Sequence, residues 1–536
     1  MTSGLLLHGG RVWTGSGAPL TDAVLLRDGV VTALGEDALA AAGPEDRRLD
    51  LEGRLATPAL DEAHMHLLPY GLGLVEVNLR PDQVRTLDAL LTRIADAAAA
   101  TPKGAWLIGR GYDHTALDVA RHPTAAELDR AAPNNPVFIK RTCGHMGVAN
   151  AAAMRIAGVG HNTPDPEGGV IGRGPRGLTG LFQERAMRLI LDVTPVPDEA
   201  AMVTAIEAAG RNLASFGFAS ASDMNVGMTA GLAELAAYRR ALAEDRLQQR
   251  MWLVLSANPE GIAEAAWAEG LRPDVTDPML ACGAVKVFAD GSAGGMTAAF
   301  MDPYLPGGTG VFCFPEETMH GLLALWHGRG FALNIHAIGD AAIEQVLKGM
   351  EDLPDPRPRH RIEHAGWANR HQRRRMLAAG VLPVPQPIFL YEFGDSYIDV
   401  LGPERANACY PMRTFVEEGH NPSASSDCPV STVDPFVNFF TMRTRQTSRG
   451  RVLGAGETLT AEQALHAYTS AGAFARFAET RRGTLAPGMD ADVAVFDTDL
   501  LEASPEAVKG ARCDLTIRGG QVIHDRHGVF ANGALG

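Results

Sequence analysis

Two histidines separated by one residue close an apolar run, Leu55-Ala-Thr-Pro-Ala-Leu-Asp-Glu-Ala-His-Met-His66. Side chains two apart on a strand point the same way, so a strand over this run predicts that His64 and His66 form a claw for a divalent metal. Imidazoles suit zinc and its neighbours, and one or two further ligands would complete the site. Other apolar runs carry metal-capable residues in the same manner: His336, His364 and Asp427 each finish one, and Lys286 lies inside another. A histidine of this kind taken singly is more often a hydrogen-bonded core or loop residue. A lysine in an apolar strand must be paired, neutralised or chemically altered, because an isolated ammonium there is too costly. Together the histidines, the aspartate and the lysine are hard to dismiss as accidents of packing and describe a candidate metal centre.

Elements that could bring these residues to one edge are legible in the pattern. Helical stretches with three-to-four apolar spacing are read at residues 86–98, 198–210 and 460–468, the last opened by a Thr460/Gln463 capping box. Candidate buried strands lie at 136–140, 218–223, 284–288, 331–336, 360–364, 381–384 and 422–427, and with the strand before His64 they number eight. Alternating strand and helix units of that number predict an α/β fold, a (β/α)8 TIM-type barrel with its chemistry at the C-terminal strand ends. Pro383 and Pro385 make 381–384 the poorest strand. Both ends of the chain instead alternate short apolar strands with glycine turns, such as Asp28-Gly29 and Gly519-Gly520. They predict a small β-sandwich built from residues 1–57 and 476–536 around a barrel, with insertions, over 58–475.

Composition narrows the function. At 536 residues the chain exceeds one ordinary core, and 46% hydrophobic with 21% charged residues is an ordinary globular composition. A net charge of -15 without a basic run argues against nucleic acid and anionic membrane as partners and leaves a small-molecule substrate. The first residues lack a signal-peptide pattern and no apolar run reaches transmembrane length, so a cytoplasmic location is expected. Six scattered cysteines read as neither a disulfide framework nor a zinc knuckle. A symmetric homodimer is the default assembly.

The order His-x-His, Lys, His, His, Asp resembles the amidohydrolase superfamily. Several stretches resemble, more narrowly, the amidohydrolase family 3 group of N-substituted formamide deformylase-like metal-dependent hydrolases: Trp106-Leu-Ile-Gly-Arg-Gly-Tyr-Asp113, Gly144-His-Met-Gly-Val-Ala-Asn150, Thr179-Gly-Leu-Phe-Gln-Glu184, Val285-Lys-Val-Phe-Ala-Asp-Gly-Ser292, His336-Ala-Ile-Gly-Asp340, Arg361-Ile-Glu-His364 and Ser426-Asp-Cys-Pro429. The resemblance implies a barrel with a terminal β-sandwich. It implies two divalent metals, zinc by preference: His64 and His66 on the more buried one, His336 and His364 on the other, and Lys286 bridging as a CO2-derived carbamate. Asp427 would be both ligand and catalytic base in the hydrolysis of a non-peptide amide, N-formyl or cyclic amide C–N bond by a metal-activated hydroxide. His145 would contact the substrate carbonyl or its oxyanion, or else stabilise its loop; Tyr112 is read as a substrate-pocket or core aromatic, and Glu184 would lie behind the ligands or in the substrate pocket. Two departures bear on the substrate: Arg173-Gly174 stands where relatives carry Arg-Asp, and Tyr112-Asp113 where they carry Trp-Asp. Glu184 is an alternative bridge to Lys286. A mononuclear deaminase on the same barrel and a non-catalytic scaffold are the competing functions. Asp290-Gly-Ser-Ala-Gly-Gly295 is read as a flexible active-site loop and 389–410 as a lid or a packed helix.

Overall fold

Seven of the strands form one parallel sheet in the order Leu382–Val384, Arg361–His364, Ala332–Ala337, Leu280–Phe288, Arg250–Ser256, Phe218–Val226, Leu60–Met65. The computed structural model describes residues 4–530 apart from 82, 142–145, 167, 176 and 355–358. It divides into two compact units, Met1–Tyr70 with Ala209–Gly536, and Gly71–Ala208. The parallel sheet belongs to the first. Helices such as Asp340–Glu351 and Arg370–Ala378 connect successive strands, and all the strand residues from Phe218 to Val226 and from Arg250 to Ser256 are buried. Such continuous burial is what a parallel sheet covered on both faces requires. Ile362 pairs with Pro383, so the proline-containing run is a strand despite its missing donor.

Two of the expected barrel strands are corrected. Residues 136–140 lie in the other unit, where Val137–Arg141 pairs with Leu107–Tyr112. The barrel strand in its stead is Arg250–Ser256, an apolar run behind an arginine that the sequence reading passed over. Periodicity finds a buried strand without saying which sheet it joins. Residues 422–427, expected as the eighth strand, form no ladder, yet they fill the gap between the first and seventh strands. On one side Asp427 N–H donates to the His64 carbonyl at 2.7 Å and His66 N–H to the Cys428 carbonyl at 2.7 Å. On the other, Ser425 Oγ donates to the Pro385 carbonyl and accepts from Gln386 Nε2, both at 3.0 Å. The barrel closes through side chains as well as backbone.

The two ends of the chain share one eight-stranded sheet. Its path runs Gln521–Asp525, Cys513–Arg518, Val493–Phe496, Leu55–Pro58, Leu5–Val12, Thr21–Arg27, Val30–Leu34, with Arg47–Asp50 also pairing to Leu5–Val12. Leu5, Leu7, Val24, Leu26, Val493, Val495, Leu515 and Ile517 meet in a single core, whereas Leu6 and Leu25 face the other side with Ala38, as strand alternation demands. Asp28 and Gly29 turn the hairpin between Thr21–Arg27 and Val30–Leu34 at φ 51° and 78°, the left-handed pair a two-residue hairpin needs. The capping box at Thr460 and Gln463 is present.

The unit Gly71–Ala208 carries a six-stranded sheet, Gly169–Gly174, Gly177–Glu184, Met146–Ala149, Val137–Arg141, Leu107–Tyr112, Val77–Asn78, around a core that includes Leu90, Ile94, Leu128 and Val148. No helix among the described residues is long and apolar enough to cross a membrane.

Candidate metal centre

The first strand delivers His64 and His66 as the spacing predicts. His64 is fully buried near the strand end and His66 follows it, and both Nε2 atoms approach one oxygen of Asp427, at 3.3 and 3.1 Å. Neither contact has hydrogen-bond geometry, and Asp427 Oδ1 is buried without a hydrogen-bond partner. Such an orphaned carboxylate oxygen is expensive unless a cation completes it. His64, His364 and Asp427 offer one ligand atom each within 4.8 Å of one another, all from buried residues. The His64 and His364 rings are 5.1 Å apart between centroids, and His336 packs edge-on against His364 at 4.3 Å.

Backbone strain turns two of these side chains inward. Glu363 and His364 are neighbours on one strand and would ordinarily face opposite sides, but His364 has φ 71°. Asp427 has φ 55°. Each left-handed non-glycine residue costs about 1–3 kcal/mol and persists where the surroundings over-determine it.

Each imidazole is held by one nitrogen, leaving the other for a ligand role. His64 Nδ1 is 2.6 Å from Glu363 Oε2, His66 Nδ1 is 2.5 Å from the Met224 carbonyl, and His364 Nδ1 is 2.5 Å from Gln386 Oε1. Acceptors at these positions fix the Nδ1–H tautomer and present the Nε2 lone pair. His336 is held the opposite way, through Nε2 to the Gly291 carbonyl at 2.9 Å, which leaves Nδ1. Burial, with Lys286 beside it, lowers the pKa of His64, and burial with His336 lowers that of His364, so both are neutral and able to ligate. Burial works to raise the Asp427 carboxyl, whereas protonated imidazoles at His64 and His66 would pull it well below the usual range, and a cation in their place acts in the same direction.

Lys286 is 1% exposed, with Nζ 3.3 Å from His64 Nε2 and 5.1 Å from the centre of the Phe288 ring. Burial pushes its ammonium down to about 8, against the pull of Glu363 and Asp427. The neutral amine is therefore accessible near neutral pH, as carbamate formation requires.

Sequence reasoning missed the residues that hold the ligands. Glu363 is fully buried and takes Arg361 Nε at 2.6 Å and Nη2 at 2.9 Å. Burial opposes its ionisation, yet Arg361 and His64 hold its carboxyl at about 2. Gln386 joins His364 to the seventh strand and to Ser425. Asp290 collects the N–H groups of Ala299, Ile338 and Gly339, which pins the base of the loop expected to be flexible. Gly339 is required there, since a Cβ would lie 1.9 Å from the Ala299 carbonyl oxygen. The available signal was the run Arg361-Ile-Glu-His364, a charge pair set against a ligand histidine in an apolar strand.

Comparison with known proteins places this geometry in a family. The amidohydrolase family model matches residues 47–524. The chain belongs to the amidohydrolase family. YtcJ of Bacillus subtilis (strain 168), whose name carries only a provisional assignment as an amidohydrolase, is 29% identical over 97% of this chain and 99% of its own. N-substituted formamide deformylase of Arthrobacter pascens is 27% identical over 94% and 95%. The crystal structure of an uncharacterized metal-dependent hydrolase from Pyrococcus furiosus superposes with a TM-score of 0.78 at 26% identity, over 93% of this chain and all of that one. This amidohydrolase is accordingly a metal-dependent hydrolase, with the barrel that the resemblance implied and both ends of the chain in a further β-sheet.

Of the residues expected to bind substrate, Tyr112 and Glu184 lie in the unit Gly71–Ala208. Tyr112 is fully buried in that unit's core with its hydroxyl 2.9 Å from His122 Nδ1, and Glu184 is an exposed residue ending a strand at φ 51°. His145 is outside the described residues. The helix Ile388–Leu401 spans much of the expected lid and buries Ile388, Phe389, Leu390, Gly394, Tyr397 and Leu401, with Phe389 stacked on His364 at 6.0 Å.

Proposed function

We propose that the chain hydrolyses a non-peptide amide, N-formyl or cyclic amide C–N bond of a small organic molecule. The observation that carries this reading is the buried, unpartnered Asp427 oxygen facing the Nε2 atoms of His64 and His66, with Lys286 beside them. His64, His66, His336, His364 and Asp427 would hold two divalent metals, zinc by preference among imidazole and carboxylate ligands. Lys286, as the neutral amine, would add to CO2 with loss of a proton, and the resulting carbamate would place an anionic oxygen ligand where an ammonium is costly. Bound metal supplies Lewis acidity and lowers the pKa of water. Asp427 is held ionised and within reach of the same centre, so it accepts the attacking water's proton and returns it to the leaving nitrogen. The name of the deformylase relative supports an N-acyl or N-formyl amine as the substrate class.

Elemental analysis of protein expressed with zinc and bicarbonate, beside a Lys286→Ala variant, tests the centre, and a screen of N-formyl and N-acyl amines tests the reaction. Two metals per chain, reduced to one or none in the variant, agree with the reading. One metal unaffected by the substitution favours the mononuclear deaminase instead.

A further inference from the structure

The four imidazoles are not backed alike. His66 and His336 lean on main-chain carbonyls and His364 on a neutral amide oxygen, whereas His64 leans on the carboxylate of Glu363. That carboxylate is fixed from behind by two hydrogen bonds from Arg361, which itself donates to the Ala63 carbonyl at 2.9 Å and is 1% exposed. Asp290 does stand 3.3 Å from His336 Nε2, but its oxygens are engaged by three backbone N–H groups and His336 donates to Gly291. Of these four imidazoles, His64 is thus the one whose Nδ1 meets a carboxylate. A carboxylate behind a ligand imidazole raises its basicity and fixes its plane, and loss of such a partner typically weakens metal binding about 10–100-fold.

We infer that Glu363 is a positioning residue that makes the His64 side of the centre the tighter of two metal positions, so that divalent metal loads in two unequal steps. Arg361 serves this by pairing with Glu363 through two hydrogen bonds and aligning it along the His64 Nδ1–H bond. The amide of Gln386 gives His364 orientation without the charge, and the second position is weaker for that reason. The inference rests on the two-metal reading proposed above.

Zinc titration of the chelator-stripped full chain, followed by calorimetry and by competition with a fluorescent chelator, tests it without recourse to turnover. The expected wild-type result is two resolved steps. In Glu363→Gln the tighter step weakens about 10–100-fold and the weaker one stays within about twofold. In Gln386→Glu, which places a carboxylate behind His364, the weaker step tightens and the two steps converge. A single wild-type step that Glu363→Gln nonetheless weakens defeats the two-metal reading and the ordered loading while supporting the positioning role. Unchanged zinc affinity in a folded Glu363→Gln protein overturns that role. Should Arg361, left unpaired, prevent that variant from folding, Gln386→Glu decides alone: convergence supports the inference, and unchanged steps overturn it.

Discussion

The molecule carries two histidine clusters beside carboxylates at the C-terminal ends of parallel strands, and they are built for different ends. In the barrel, His64, His66 and His364 each have Nδ1 engaged, and His64 and His66 bring Nε2 to the unpartnered oxygen of Asp427. In the unit Gly71–Ala208, His114 and His122 stack face to face, 3.9 Å apart and 19° from parallel. There the carboxylate is spoken for: Arg141 Nη2 donates to Asp113 Oδ1 at 3.0 Å, and Arg141 Nε donates to His114 Nδ1 at 3.1 Å. The same residue types give a candidate metal centre in one place and a closed hydrogen-bonded stack in the other. Orientation of the lone pairs, together with a carboxylate that no guanidinium has neutralised, makes the difference.

That contrast breaks first at Asp427. Asp427→Asn removes the proton acceptor while keeping the shape, and kcat for the best amide substrate should fall about 10²–10⁴-fold with the thermal midpoint little changed. If turnover survives, Asp427 is not the base. Next in size, His364→Ala should remove metal from the chain on elemental analysis, whereas His114→Ala in the other cluster should leave metal content as in the wild type. Loss of metal from the His114 variant would erase the distinction between the clusters. Lys286→Ala is expected to lower metal content, and bicarbonate should no longer raise it during reconstitution with zinc.

The smallest effect concerns pH and the stacked pair. Burial, with His114 and Arg141 beside it, pushes His122 down to about 4 from the ordinary 6.5. Between those values the unfolded chain binds a proton that the folded chain does not, so stability falls as pH drops from 6.5 toward 4. Because the ring is only half-buried and screened by solvent, this contribution should stay below about 1 kcal/mol. Urea unfolding at pH 7 and pH 4.5 checks it: His122→Gln should narrow the difference seen in the wild type, and an identical difference in both proteins would remove His122 from the account.

The sequence by itself determined the ligand-bearing residue types, the shared direction of His64 and His66, the anomaly of Lys286 in an apolar run, and the hairpins at both ends. These follow from local rules, the two-residue period of a strand, the cost of a buried ammonium, and the φ values that Asp28-Gly29 tolerates. It also indicated a barrel, because alternating strands and helices have few ways to bury both faces of a parallel sheet. Only the tertiary structure decided that Val137–Arg141 joins another sheet, that Arg250–Ser256 takes a place in the barrel, and that residues 422–427 close it without a ladder. It also decided the inward turn of His364, since strand alternation alone would set that ring opposite to Glu363. The partners that select each imidazole's nitrogen, the Met224 and Gly291 carbonyls, Glu363 and Gln386, are mostly remote in the chain from the rings they hold. Periodicity reports which face of an element is buried, and only the packed structure determines which donor meets which acceptor.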